Sequence, residues 1–325
     1  MTGIAIDRRA MASARWGGAT SFWNLSVGRL LPSLLLLFAA ATASAQELSP
    51  RAYWPSPVGT RVLVSGYSYA TGDVLLDPTI PLYGVDSRIN TLFFGYLQSF
   101  DFAGRSANVL VEAPYSWGTT RGLLGETPAK ADFAGFNDLG LTVSVNLLGA
   151  PALTPEDFGA LREKPRPLLG ASIKLVPPTG YYQEDRFINV GGNRWATRLQ
   201  LGAILPLHRR WLLEGAVGAW LFGDDDDFPG GLREQDPIYA AELHLVHRFR
   251  PGLWVSFDTN WFTGGRQTVD GVEREDLQRN IRLGGTVVVP FLQRHAVKVG
   301  FSASARTRFG SDSNQLLVSY TYILP

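Results

Sequence analysis

From about residue 60 onward, apolar and polar residues alternate along one segment after another. The segment 194–205 is the clearest case. Trp195, Thr197, Leu199, Leu201, Ala203 and Leu205 share one face, and Arg194, Arg198 and Gln200 share the other. A period of two is a strand pattern, because successive side chains point to opposite faces. The segments exceed the roughly 5–6 residues of a soluble strand and match the roughly 9–11 that a tilted strand needs to cross a bilayer. Twelve strands are predicted, near 60–70, 88–100, 105–116, 136–148, 168–177, 192–206, 210–222, 236–249, 253–263, 277–290, 294–307 and 314–323. The expected fold is all-β, a transmembrane antiparallel up-and-down β-barrel of even strand number.

Connections alternate in length. Short ones fall at 101–104, 207–209, 250–252 and 292–294, and long polar ones at 71–87, 118–134, 178–191, 223–235 and 264–276. Short turns on the periplasmic side and long loops outside are the rule for such barrels, which places both termini in the periplasm. The connection 149–167 breaks the rule, and Thr154-Pro-Glu-Asp157 within it predicts a short helix by N-cap and first-turn proline logic. Residues 46–59 carry three prolines, predict no strand and are expected at or in the periplasmic mouth, ahead of a barrel spanning 60–325.

The alternation assigns faces. Bilayer-facing positions are Leu139, Leu141, Val143, Val145 and Leu147, then Leu213, Val217, Ala219 and Leu221, Leu253, Val255 and Phe257, Val297, Val299 and Phe301, and Val318, Tyr320 and Tyr322. A soluble sandwich would put those residues inside, but it would not need so many long strands with aromatic ends. The opposite face is polar and mixed in sign. It carries Lys174, Arg194, Arg198, Arg248, Arg282, Lys298, Arg306 and Arg308 against Glu112, Asp138, Glu214, Glu242 and Asp258, with His244 among them. Two readings stay open. These groups pair across strands and fill the interior, or they line a polar pore with a basic bias. In the second reading Arg194, Arg198, Arg306 and Arg308 would form an anion-attracting cluster near the outer half.

The N-terminus predicts export. Arg8, Arg9, Arg15 and Arg29 precede an apolar run over 30–41, and Ala43-Ser44-Ala45 is a small-residue cleavage motif. Residues 1–45 therefore read as a secretory signal peptide, too short in its apolar part for the roughly 20 residues of a spanning helix. Met11 is an alternative start. Beyond residue 45 the chain holds 26 basic and 28 acidic residues, a balance that does not suggest nucleic acid as a partner. It has no cysteine, hence no disulfide framework or thiolate metal site. Its 35 glycines, 9 tryptophans, 11 tyrosines and 18 phenylalanines fit tight turns and aromatic girdles.

Several motifs occur in a telling order: Gly191-Gly-Asn-Arg-Trp195, Trp220-Leu-Phe222, Asp224-Asp-Asp-Asp-Phe228, Glu234-Gln-Asp-Pro-Ile238, Gly264-Gly265, Asp270-Gly271 and Arg282-Leu-Gly284. In this the chain resembles the meta-pathway phenol-degradation proteins, transporter-like barrels of the bacterial outer membrane. The resemblance covers most of 60–323 and is strongest over 180–310. It implies an outer-membrane barrel involved in uptake of aromatic or other apolar compounds, and it carries no catalytic residues. One departure is the C-terminus: such barrels end on an aromatic residue, whereas this chain ends Tyr322-Ile-Leu-Pro325. That weakens the signal read by the barrel-assembly machinery.

Enzyme signatures are lacking: there is no Gly-x-Ser-x-Gly elbow, zinc-protease helix, phosphate loop or dinucleotide fingerprint. His208 and His295 fall in predicted turns, and His247 faces lipid without a serine in phase to activate. No cofactor is expected. The carboxylates Asp224, Asp225, Asp226 and Asp227 could supply calcium ligands, although a solvated loop, or one bridged by divalent ions to lipopolysaccharide, is the plainer reading. Three functions follow in order of support: a passive channel for small solutes, a closed structural or surface-interaction barrel, and a lipid-modifying enzyme. Lipid and lipopolysaccharide are expected partners in each.

Overall fold

The structure is a computed structural model and describes residues 49–73, 82–124, 126–184, 186, 188–229 and 231–325. The predicted signal peptide lies outside the described residues. The elements are β1 (Arg61–Asp73), β2 (Leu82–Phe102), β3 (Arg105–Leu124), β4 (Thr127–Phe136), β5 (Gly140–Leu148), α1 (Pro155–Glu163), β6 (Leu168–Val176), β7 (Ala196–Pro206), β8 (Trp211–Phe222), β9 (Arg233–Gln235), β10 (Ile238–Arg250), β11 (Leu253–Gly264), β12 (Gln267–Val269), β13 (Val272–Glu273), β14 (Gln278–Phe291), β15 (His295–Arg306) and β16 (Asp312–Ile323).

The long strands pair antiparallel with their neighbours, and β16 returns to β1, so the sheet is closed. β4 and β5 pair with successive parts of β3 and make one interrupted stave. β9, β12 and β13 form a separate small sheet. Twelve staves remain. Apart from the outer side of β4, which pairs with β3 alone, closure leaves no open edge.

The outer surface identifies the solvent. Leu201, Val217, Phe257 and Phe301 are half or more exposed on strands whose alternate residues are buried. Soluble proteins do not leave a continuous apolar belt bare, so this belt faces lipid. Aromatic bands flank it. Trp211, His247 and Phe249 meet ring to ring at one end, as do His295, Tyr320 and Tyr322. Tyr67, Tyr115, Trp117 and Phe136 do so at the other. We call these the turn end and the loop end. The segment 49–60 and the close of β16 lie together at the turn end, where Leu324 N–H donates to Arg61 O over 2.8 Å.

Two expected loops are partly strand. β3 runs on to Leu124 and β4 returns from Thr127, so most of 118–134 is a hairpin. Likewise β1 continues to Asp73 and β2 begins at Leu82. The apolar period fades there because a hairpin that rises clear of lipid has water on its outer side. The helix forms where expected. Thr154 Oγ1 accepts from Asp157 N–H at 3.2 Å and Asp157 Oδ2 accepts from Thr154 N–H at 3.4 Å, a reciprocal cap with Pro155 in the first turn.

Candidate functional site

The inner wall carries a belt of charged groups placed by register. Glu242 and His244 of β10 stand opposite Asn260 and Asp258 of β11 and opposite Ala216 and Glu214 of β8. All four titratable groups are buried. His244 Nδ1 lies 2.9 Å from Asp258 Oδ1 and its Nε2 lies 3.5 Å from Glu242. Thr286 Oγ1 donates to the other Asp258 oxygen over 2.9 Å. Arg198 pairs with Glu242, and Gln200 donates to the same carboxylate at 2.9 Å. On the next staves Lys174 reaches Glu112 at 2.8 Å. The bland expectation of cross-strand pairing is therefore met for Arg198, Glu242 and Lys174.

Residues from outside the barrel strands complete the belt. Arg51 Nε lies 3.5 Å from Glu214, and its backbone N–H donates to the same carboxylate over 2.7 Å. The guanidinium stacks 4.0 Å over Trp54 and 5.7 Å from Trp254. Two residues on, Tyr53 is buried, its hydroxyl 2.9 Å from Ser172 Oγ and donating to Gln200 Oε1 at 3.0 Å. The ring of Tyr53 lies on bare backbone. A Cβ at Gly170 would fall 2.3 Å from its Cδ1, and one at Gly202 would fall 2.1 Å from its Cε2. Glycine at these two adjacent inward positions makes the slot the ring occupies. An apolar cluster continues toward the turn end through Leu153, Leu161, Leu168, Ile204, Leu212 and Val246, and α1 caps it. The segment 51–58 thus enters the turn-end mouth and fills it.

The loop half of the interior carries two apolar clusters among polar groups such as Ser87, Thr120, Asn280 and Arg282. Trp220, Ile238, Ala240 and Phe262 cluster on one wall. Ala70, Ile89 and Phe133 form a second cluster with Ile188 and Val190, which come from the connection between β6 and β7. That connection is folded inward because Asp138, in the break between β4 and β5, accepts from the backbone N–H of Thr179, Gly180 and Gly192 at 2.9, 2.7 and 2.7 Å. Asp138 was expected to line the lumen; its role is to hold this loop. Over the mouth, Arg233 and Asp225 are a buried pair at 2.7 Å, with the guanidinium 4.4 Å from the Phe228 ring. Beside them Asp276 accepts from Gln267 N–H at 3.0 Å, and burial raises its carboxyl above the ordinary range.

This geometry can be set beside known proteins. The profile of the family described as "Putative MetA-pathway of phenol degradation" matches residues 59–317. The chain belongs to that family. No curated protein sequence matches it. The fold is similar to that of the COG4313 outer membrane channel from Pseudomonas putida F1, at 22% identity and a TM-score of 0.70, covering 86% of this chain and 100% of that one. It is more distantly like the transport unit of the autotransporter AIDA-I from Escherichia coli, at 10% identity and TM-score 0.46, with 86% and 93% covered.

Within this phenol-degradation family barrel the expected arginine cluster is dispersed. Arg198 is neutralised by Glu242, and Arg194 donates to Gln235 and lies 4.8 Å from the Phe222 ring. Arg306 and Arg308 are exposed at the loop end, on or beyond a stave five positions around the ring from Arg198. The register slips between Ile281 and Arg282, so Ser304 still faces the inward Arg282 while Arg306 stands opposite Ile281, whose neighbours place it outward. A bulge of one residue was not visible in the alternation, and it turned Arg306 out. Arg306→Glu with Arg308→Glu is accordingly expected to change anion preference only slightly, with that change gone in high salt. Bilayer reversal potentials at two salt concentrations check this; a reversed selectivity would return both arginines to the conduction path.

The other predicted residues divide similarly. Glu214, Glu242, His244 and Asp258 come together on the inner wall, and Arg282 stands apart on the same wall, held by Ser302 and Ser313 hydroxyls at 3.0 and 3.2 Å. Lys298 is half-buried on the same face, between Val288 and Ser319. Arg248 instead sits at the turn-end rim, donating to Arg162 O at 2.9 Å. In the acidic loop Asp225 is spent on Arg233 and Asn193, and no three His, Asp or Glu side chains among the described residues converge as metal ligands. Arg51 and Tyr53 were the residues that sequence reasoning missed. Their one signal was a proline-rich segment with two large polar side chains just ahead of the first strand.

Proposed function

We propose that this protein is a passive outer-membrane channel for small solutes, among them aromatic or other apolar compounds, and that its own residues 51–58 close the turn-end mouth. One observation carries the reading. The lumen is filled at the turn end by a segment that belongs to no strand, lying on glycines. A barrel built simply to be solid would fill that space with its own strand side chains, as eight-stranded barrels do. Gly170 and Gly202 leave a bore, and Arg51 and Tyr53 stop it. The apolar clusters of the loop half, with Trp220, Phe262 and Phe133 among hydroxyl and amide groups, suit solutes with little charge. The mixed-sign belt below it disfavours neither anion nor cation strongly.

The loop end faces outward and the turn end faces the periplasm, as short turns and long loops do in such barrels. The chain arrives by way of a leader over 1–45 and is assembled by the barrel-assembly machinery, with Tyr320 and Tyr322 of β16 on the lipid face. Sequencing the N-terminus of protein taken from outer membranes should give a start at Gln46; a start at Met1 or Met11 would contradict the leader. The lipid-modifying reading lacks a nucleophile. His247 sits between the Trp211 and Phe249 rings and faces Val255 across the ladder. The closed structural barrel is the competing account, favoured by the paired charges of the belt. Solute uptake into liposomes separates the two: the channel admits small apolar and neutral solutes, and the closed barrel admits none.

A further inference from the structure

The β2–β3–β4 wall is the tallest part of the barrel, with strands of 21 and 20 residues. Its outer face changes character above the aromatic band. The ladder sets Asn90, Trp117 and Ala134 in one outward row, Arg88, Thr119 and Asp132 in the next, and Asp86, Arg121 and Lys130 in the row above. Lys130 donates to Asp132 over 2.6 Å, and Thr119 donates to the same carboxylate. Asp86 stands opposite Arg121 in the ladder, but neither Arg88 nor Arg121 has an ion-pair partner among the described residues. All three cations are exposed. They rim a cleft of 480 Å³ whose floor includes Tyr69 and Trp117.

The height of this patch points to its ligand. Trp117 belongs to the band that marks the lipid interface, its ring centroid 6.3 and 6.2 Å from those of Tyr67 and Tyr115. Arg121 is four residues above it, about 13 Å along the strand and about 10 Å in height for a tilted stave. That is where the headgroups of the leaflet lie. A polar patch facing only water would need no aromatic floor, and one facing acyl chains would not hold three cations. Guanidinium groups suit phosphate by charge and by their forked donors.

We propose that this outer wall binds the phosphorylated headgroup of an outer-leaflet glycolipid, the lipid A part of lipopolysaccharide. Arg88, Arg121 and Lys130 hold a phosphate, and the Tyr69–Trp117 floor lies against the sugar. The proposal rests on the reading of the barrel as an outer-membrane protein with its loop end outward.

The test uses the mature chain in phosphatidylcholine nanodiscs, with bis-phosphorylated lipid A, fully dephosphorylated lipid A and inorganic phosphate as separate probes. Wild type is expected to bind bis-phosphorylated lipid A about tenfold or more tighter than Arg88→Gln/Arg121→Gln/Lys130→Gln. Dephosphorylated lipid A should bind both proteins alike and weakly, and inorganic phosphate should compete only weakly. Equal binding by wild type and variant, or no loss on removing the phosphates, overturns the proposal, as does tight binding of inorganic phosphate without lipid. Should the triple variant fail to assemble, Arg121→Gln and Arg121→Lys serve: the first should weaken binding and the second preserve most of it. Orientation is read separately. Glu273→Cys, the sole cysteine in such a chain, should react with an impermeant maleimide on intact cells. Labelling together with phosphate-blind binding sinks this site and leaves the channel intact. Absence of labelling sinks the orientation, and the site with it.

Discussion

Val143→Arg is expected to block insertion of the barrel or to cost about 2–4 kcal/mol, the range for a cation facing lipid at mid-depth. Val143 lies near the middle of β5, exposed, with Val109 and Ile173 as its ladder partners. None of these can neutralise a guanidinium, and a residue in mid-strand is too far from either interface for the side chain to reach water. Thr142→Arg, one residue away, points inward beside Lys174, within the belt that also holds Glu112. There the new charge meets polar neighbours and one like charge, a cost of a few tenths to about 1 kcal/mol. Folding into lipid vesicles, followed by urea titration, should separate the two variants clearly. Equal losses would mean that the facing of β5 is wrong, and with it the membrane reading of the belt.

The second large effect is on transport. Tyr53→Ala removes the ring from its slot on β6 and β7, and truncating a buried aromatic costs about 3–5 kcal/mol. Only the seated state loses that contact. At about 1.4 kcal/mol per tenfold, the withdrawn state should gain about a hundredfold to a few thousandfold in population. Gly202→Ala should do the same from the other side. Its Cβ would fall 2.1 Å from the Tyr53 ring, so the two cannot coexist as they stand. Alanine is otherwise the better strand residue by roughly 0.5–1 kcal/mol, so the barrel itself should not weaken. The double variant should behave like Tyr53→Ala alone, because the three atoms nearest the added methyl all belong to the Tyr53 ring. Uptake of small neutral solutes into liposomes is the readout. Unchanged uptake in both single variants would mean that Tyr53 does not control the path.

Legibility of the fold followed the physics of each region. Where a stave has lipid on one side and polar groups on the other, as from Thr197 to Leu205, the alternation is sharp; the strand expected over 192–206 ends where β7 does and starts four residues before it. Where the β3–β4 hairpin leaves the bilayer, Arg121 and Lys130 point outward as freely as any loop residue, and the strand was read as loop. The inward Glu242, His244 and Asp258 were found because a buried charge can only lie on the inner side of such a barrel. Their partners were found in part. Arg198 meets Glu242 across 44 residues, the cross-strand pairing that stood as one of two readings, whereas Arg51 reaches Glu214 from outside the strands. The stopper was legible in part. Three prolines and no periodicity put 46–59 at or in the periplasmic mouth, but nothing in the segment singled out Arg51 and Tyr53 as the side chains that fill it. Gly170 and Gly202 hinted at the slot only in retrospect, since glycine in a strand also marks bulges and bends.

The most direct test is planar-bilayer conductance of the mature chain beside the same chain lacking residues 49–58. The wild type is expected to be closed for most of the time, with brief openings, and the trimmed barrel to conduct steadily. Silence from both proteins, each confirmed as folded and inserted, would contradict the channel and leave a closed structural barrel.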